Sequence, residues 1–161
     1  NIVLKDDKNN EIENIKDFNE KVLVTGDMLK NVTYDLSVAG FNIGDVLTYN
    51  EILYGIILES GADATEIIAY SLSGSEEEFV KLMNVKAKEI GMNNSYFSNV
   101  IGIEGDNHHS TARDMMKLVK YAIKNEKFKE ICSNGTYLCN NYGKCTQCFS
   151  SRSICSRRKE C

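Results

Sequence analysis

The chain contains no proline at all, and cysteine is absent from its first 131 residues. Without a pyrrolidine ring to fix a turn, every change of direction has to come from Gly, Asn, Asp or Ser. Nowhere do about 18 or more apolar residues run together, which excludes a spanning helix in these residues. The first residue is Asn, no charged start leads into an apolar core, and so no signal peptide is seen. There is no internal repeat. A surplus of positive charge is also missing from the body, where residues 1–131 carry 14 Lys or Arg against 22 Asp or Glu. A balance of −8 gives no electrostatic case for nucleic acid as a partner.

What is present is an ordinary globular composition. A length of 161 residues with 42% hydrophobic content allows one domain with a real core. The organising stretch is YNEILYGIILESGADA, Tyr49 to Ala64. Thr48 followed by Glu51 is a capping box, so a helix is expected to begin there. Ile52, Leu53, Tyr54, Ile56, Ile57 and Leu58 leave almost no polar face, which predicts a helix buried on several sides. That helix should break at Ser60-Gly61. A serine held by a buried helix at a glycine-relieved turn is fixed in place, as catalysis or ligand binding requires. The bland alternative is that Ser60 caps the next helix.

Upstream, residues 1–12 read as a ragged end or a weak strand. KVLVT, from Lys21 to Thr25, has the β-branched enrichment of a short strand, turned by Gly26-Asp27, and Asp27 to Asn31 can begin a helical turn. Val32 to Thr48 reads as irregular extended segments punctuated by Gly40 and Gly44. Downstream, Ala62 to Leu72 is helical by composition and stops near Ser73-Gly74. Ser75 with Glu78 predicts a second capping box, and Glu76 to Glu78 place negative charge at a positive helix end. Phe79, Leu82, Met83, Ala87 and Ile90 recur at helical spacing as core positions, closed by Gly91. After a loop with Gly102 and Gly105, Ser110 or Thr111 should cap a helix carrying Met115, Leu118, Val119, Ala122 and Ile123. His108, His109, Asp106 and Ser110 tempt a triad reading, but neighbours in sequence cannot all point to one centre. Glu126 to Ile131 can add one more helical turn.

All six cysteines, Cys132, Cys139, Cys145, Cys148, Cys155 and Cys161, fall in the last thirty residues, a basic tail with 5 Lys or Arg against one Glu. Three readings stay open, in this order. The first is out-of-register or non-native sequence. The second is a disulfide framework. The third is a metal site built on Cys145-x-x-Cys148 with Cys139 and Cys155. No apolar pattern between them supplies a scaffold, and no metal ligand set is assigned.

The run from ENIKDFNEKVLVTGDMLK through ILYGIILESGADATEIIAYSLSGSEEEFVKLMNVKAKEIGMNNSYFSNVIGIEGDNHHSTARDMMKLVKYAIKNEKF resembles the central part of the penicillin-binding D-alanyl-D-alanine carboxypeptidases. The resemblance covers about Glu13 to Ile131. It implies three parts: a divergent end at 1–12, a helical domain at 13–131, and a Cys-rich tail at 132–161. The fold class it implies is mainly α, a piece of the α+β transpeptidase and β-lactamase type fold. That piece is the helical subdomain with the main antiparallel sheet largely absent. It also implies an exported serine-type peptidase of the cell envelope, acting on peptidoglycan stem peptides with no cofactor. The region Ser37 to Gly40 would border the substrate cleft.

Three motifs carry the chemistry in such enzymes, Ser-x-x-Lys, Ser-x-Asn and Lys-Thr-Gly. Ser60-Gly61-Ala62 occupies the place of the second, so the resemblance makes Ser60 the proton-relay serine and sets Gly61 and Ala62 at the substrate. Ala62 stands where the motif has Asn, and an alanine side chain neither donates nor accepts a hydrogen bond. The residues before Glu13 hold no serine, and Ser156 to Lys159 is an accidental match in the tail. No Lys-Thr-Gly occurs. Glu59 and Val100 stand where the family commonly has proline, losses that should loosen their loops. An inactive carboxypeptidase relative is therefore expected. The alternatives are a non-catalytic module binding cell-wall peptide or a protein partner, and a truncated or frame-shifted product.

Overall fold

The computed structural model describes residues 4–5, 11–12, 15–33, 35–36, 38–134, 136–141 and 144–150; for 4–5, 11–12, 136–141 and 144–150 the backbone alone is described. Packing divides the chain into two units, Asn1–Lys16 with Ile68–Lys129, and Asp17–Ile67 with Glu130–Cys161.

The second of these units holds the Ser60 turn. Its strands β3 (Lys21–Leu23) and β4 (Val46–Thr48) pair antiparallel, with Val22 opposite Leu47. Both of those residues are buried, which is the alternation a half-covered strand pair requires. Strand β4 runs without a loop into helix α1 (Tyr49–Glu59). Thr48 ends the strand and caps the helix: its hydroxyl accepts from the Glu51 N–H at 3.2 Å, and Glu51 Oε2 accepts from the Thr48 N–H at 2.7 Å. The box read from the sequence is complete. The Asn50 N–H reaches back to the Phe18 carbonyl at 2.9 Å, so the start of α1 is also tied to the chain entering β3. A single 3-10 turn follows β3 at Asp27–Leu29.

Helix α1 buries Ile52, Tyr54 and Gly55 and packs on the hairpin of β5 (Thr136–Asn141) and β6 (Lys144–Ser150). That hairpin is a difference from the sequence expectation, which found no scaffold among the tail cysteines. Pairing with α1 alongside supplies the order that local apolar pattern does not. Tyr54, almost fully buried, donates its hydroxyl to Glu130 Oε1 at 3.2 Å and accepts from Asn134 Nδ2 at 2.6 Å, which seats the end of helix α5 (Glu126–Ser133).

In the other unit, the two-residue strands β1 (Leu4–Lys5) and β2 (Glu11–Ile12) pair antiparallel. The far part of helix α2 (Ala62–Ser73) ends at Gly74, whose φ of 77° lets the chain reverse. Ser75 caps helix α3 (Glu76–Glu89) by accepting from the Glu78 N–H at 3.2 Å, but the Glu78 side chain pairs with Lys81 and does not close the expected box. Of the five apolar positions expected in the core here, Ala87 is buried and the other four are half-buried. Thr111, not Ser110, caps helix α4 (Ala112–Ala122). Of the apolar residues read on this helix, Met115, Val119 and Ile123 are exposed.

The loop from 92 to 111 is organised by two side chains. Asn84 on α3 donates to the Phe97 carbonyl at 2.7 Å and accepts from its N–H at 2.9 Å, so one amide stands in for a neighbouring strand. Asp114, fully buried in the first turn of α4, accepts from the Asn94 N–H at 2.8 Å, the Ser95 hydroxyl at 3.0 Å and the Lys117 ammonium at 2.7 Å. Lys117 also donates to the Gly91 carbonyl. A single Tyr96–His109 bridge closes the loop's two ends. The Val100 N–H, a donor that a proline would lack, reaches Glu76 Oε1 at 3.3 Å.

No described helix is long and apolar enough to cross a membrane. Among the described residues the three sheets are all two-stranded.

The hydrogen bond from the Lys117 ammonium holds the Asp114 carboxyl below the usual carboxylate value of 3.8, against the opposing effect of burial, with Asn94 and Ser95 acting in the same direction as Lys117. A lowered native value stabilises the fold above the ordinary pKa, and that stabilisation is lost as pH falls through the native one. Acid unfolding followed by denaturant midpoint from about pH 6 to about pH 2 should therefore steepen below about pH 4 in the native chain and flatten in Asp114→Asn. Equal slopes would show that the carboxylate does not carry this dependence.

Candidate functional site

The Ser60 turn is built by exclusion of side chains. Helix α1 and the start of α2 meet the segment 39–41 so closely that a Cβ would collide at one position and be crowded at another. A Cβ on Gly61 would lie 2.6 Å from Asp63 Oδ1 and 2.7 Å from Ala39 Cβ. One on Gly55 would lie 3.1 Å from the Phe41 ring and 3.2 Å from Ala64 Cβ. Glycine at both places lets the three segments touch, and Ala39 and Phe41 are buried in the seam.

Asp63 fastens that seam. Its side chain is fully buried, and its two oxygens accept from the Ala39 N–H at 3.2 Å and the Phe41 N–H at 3.1 Å. The Ala64 N–H donates to the same carboxylate at 2.9 Å, and the start of α2 adds the favourable field of a helix N-terminus. The sequence reading missed this residue. Its position in the first turn of a helix was visible, but the partners 22 and 24 residues away were not.

Above this frame Ser60 adopts φ 56° and ψ 37°, the left-handed conformation, as the terminal cap of α1. Its N–H and that of Gly61, the latter at 3.1 Å, both turn back to the Gly55 carbonyl. Ser60 therefore ends one helix; it does not begin the next. A non-glycine residue in this region costs on the order of 1 kcal/mol, so the turn is over-determined by its surroundings. The Ser60 side chain is exposed, whereas Gly61 and Ala62 are buried. The three residues expected at the site thus lie together, one presenting a hydroxyl and two forming its footing. Chemically, the hydroxyl can give or take one hydrogen bond or pass a proton. Ala62 offers methyl contact alone.

Other expectations fall elsewhere. Ser37 lies outside the described residues, and Ala39 supports the turn from inside the core without lining a cleft. His108 Nδ1 faces the Ser98 N–H at 3.2 Å, His109 Nδ1 lies 2.5 Å from the Asn107 carbonyl, and Ser110 shares a hydrogen bond with Ser95 at 2.8 Å. Each has its own partner, so the structure forms no local triad among them. Cys132 is exposed with a free thiol; Cys139, Cys145 and Cys148 sit on the β5–β6 hairpin, and Cys155 and Cys161 lie outside the described residues. Among the described residues no cluster of His, Cys, Asp or Glu is placed to hold a metal.

Comparison with known proteins bears on the family and the fold. The family described as D-alanyl-D-alanine carboxypeptidase matches residues 4–146, beyond both ends of the 13–131 stretch that carries the sequence resemblance. The chain is 40% identical over 115 residues to the D-alanyl-D-alanine carboxypeptidase DacF of Bacillus subtilis, covering 69% of this chain and 29% of that protein. It is 38% identical over 100 residues to DacC of Escherichia coli, covering 56% and 25%. The chain thus spans less than a third of the length of either relative. Among solved structures, the carboxypeptidase DacD of Francisella tularensis superposes with a TM-score of 0.70 at 27% identity, covering 85% of this chain and 32% of that one. A variant of a Streptomyces DD-transpeptidase reaches 0.77 at 24% identity, covering 86% and 58%, which establishes the fold. The observed helices are the helical part of the transpeptidase-like fold.

Two adjacent substitutions should act in opposite directions. Ser60→Gly relieves the left-handed strain and should stabilise the chain by about 1 kcal/mol. Gly61→Ala drives a methyl into Asp63 and Ala39 and should destabilise it by about 2 to 3 kcal/mol. Urea midpoints of the two variants test the turn; a shift of the same sign in both would contradict it.

Proposed function

The chain belongs to the D-alanyl-D-alanine carboxypeptidase family, and on that premise we propose that its Ser60 turn is the relay-serine element of an exported serine-type peptidase acting on peptidoglycan stem peptides. In such a hydrolase a serine acyl-enzyme forms as the terminal D-alanine leaves, with no cofactor. Ser60 gives or receives the proton in transit, while the buried Gly61 and Ala62 hold it in place beneath the substrate. The observation that supports this most directly is that the most strained residue of the turn is also its one exposed hydroxyl. A turn selected for stability alone would carry glycine there.

The same reading makes these 161 residues, by themselves, catalytically silent. They hold no Ser-x-x-Lys other than Ser156 to Lys159 and no Lys-Thr-Gly, so neither an activated nucleophile nor a cation for the substrate carboxylate is supplied. Ala62 removes the amide that would hold the substrate or orient the lysine. What the chain retains is binding through the Ser60 hydroxyl and the backbone beside it, in the wall or on its outer face.

Incubation of the purified chain with benzylpenicillin, read by intact mass, should give no adduct; a covalent adduct on any serine would overturn the silent reading. In the same preparation a D-alanyl-D-alanine peptide should shift the amide resonances around Ser60 at about millimolar concentration, and Ser60→Leu should abolish those shifts. Absence of shifts in the native chain would remove the binding role.

A further inference from the structure

The exposed side of helix α4 divides into two adjoining arcs. At about 100° per residue, Met115, Met116, Val119 and Ile123 occupy one arc of roughly 100°, and Arg113, Lys120 and Lys124 occupy the next. The four apolar side chains are between 41% and 56% exposed, far more than their neighbours Leu118 and Ala122 on the inner side. Arg113, Lys120 and Lys124 are exposed as well, and among the described residues no carboxylate pairs with them. The helix's one acidic residue, Asp114, is buried and already committed to Asn94, Ser95 and Lys117.

The basic arc has depth. A shallow cleft of about 300 Å³ lies beside it, lined by Ile90, Lys117, Lys120, Tyr121 and Lys124. The Lys86 ammonium sits 5.9 Å from the centre of the Tyr121 ring, and its own partner is Glu89. Lys117 is engaged with Asp114 and Gly91, so Lys120 and Lys124 beside the Tyr121 ring and Ile90 make the place for an anionic group.

We propose that this face of α4 lies on an anionic lipid surface. The four apolar side chains enter the headgroup boundary, and a lipid phosphate takes the cleft beside Lys120 and Lys124. Two features favour that occupant. An apolar arc bordered by unpaired Lys and Arg is the composition of an interfacial helix. A second copy docked through α4 would bring two rows of Lys and Arg together, which is repulsive. With a net charge of −4 the chain as a whole is repelled by an anionic surface, so attachment would be through this patch and in one orientation. The proposal is independent of the role given to Ser60.

The test is flotation of the whole chain with vesicles of phosphatidylcholine alone and of phosphatidylcholine mixed with phosphatidylglycerol at about three to one. Roughly tenfold more protein should float with the anionic vesicles, and about 1 M salt should reduce that excess. Met116→Ser with Val119→Ser should lower binding to the anionic vesicles, and Lys120→Glu with Lys124→Glu should abolish the preference for them. All four positions are exposed, and unchanged far-ultraviolet circular dichroism confirms folding of each variant. Failure to float, equal flotation on both vesicles, or flotation indifferent to both variant pairs would overturn the proposal. Self-association in sedimentation that is lost in Met116→Ser would also overturn it, because a second copy would then cover the face. Soluble acidic peptide displacing the protein from neither vesicle supports the lipid; saturable binding of such a peptide without flotation would assign the face to a protein partner.

Discussion

A buried carboxylate facing backbone N–H groups is the interaction on which the Ser60 turn depends. Asp63 satisfies two amides of a segment that has no strand or helix partner of its own, and without it Ala39 and Phe41 would bury donors with nothing to accept them. Asp114 repeats the device for the Asn94–Ser95 loop. In both places an acidic residue in the first turn of a helix acts at long range in sequence. The helix supplies rigidity and the carboxylate spends it on a loop. Loops fixed in this way do not need proline, which is how a chain with none still holds a left-handed serine in one conformation.

Much of this fold was legible in the sequence, and the reasons are local. Thr48 with Glu51, Ser75 before three glutamates, and Gly74 and Gly91 after apolar runs are interactions between near neighbours, and the structure shows each of them. The Ser60 break was legible too, because a glycine follows a serine at the end of a uniformly apolar helix. Asp63 was not, since its partners are far away in sequence. Nor was the exposure of α4 legible. Periodicity reports that Met115, Val119 and Ile123 share a face, but not what the face meets. The tail hairpin was missed because strand pairing beside α1 substitutes for an apolar pattern that the tail lacks.

The turn joins an exposed hydroxyl to a buried footing. Ser60 combines a left-handed backbone with a side chain open to solvent. Ala62, two residues on, is buried at the head of α2, where a methyl packs at no polar cost. The footing thus serves the packing of two helices, and the hydroxyl above it is left free of that packing.

The amide of Val100 limits what the loop can accept. Its N–H donates to Glu76 Oε1 at the head of α3. Any other residue keeps that donor, whereas a proline would remove it along with the freedom of φ. The contact therefore depends on the backbone and is indifferent to the side chain that position 100 carries.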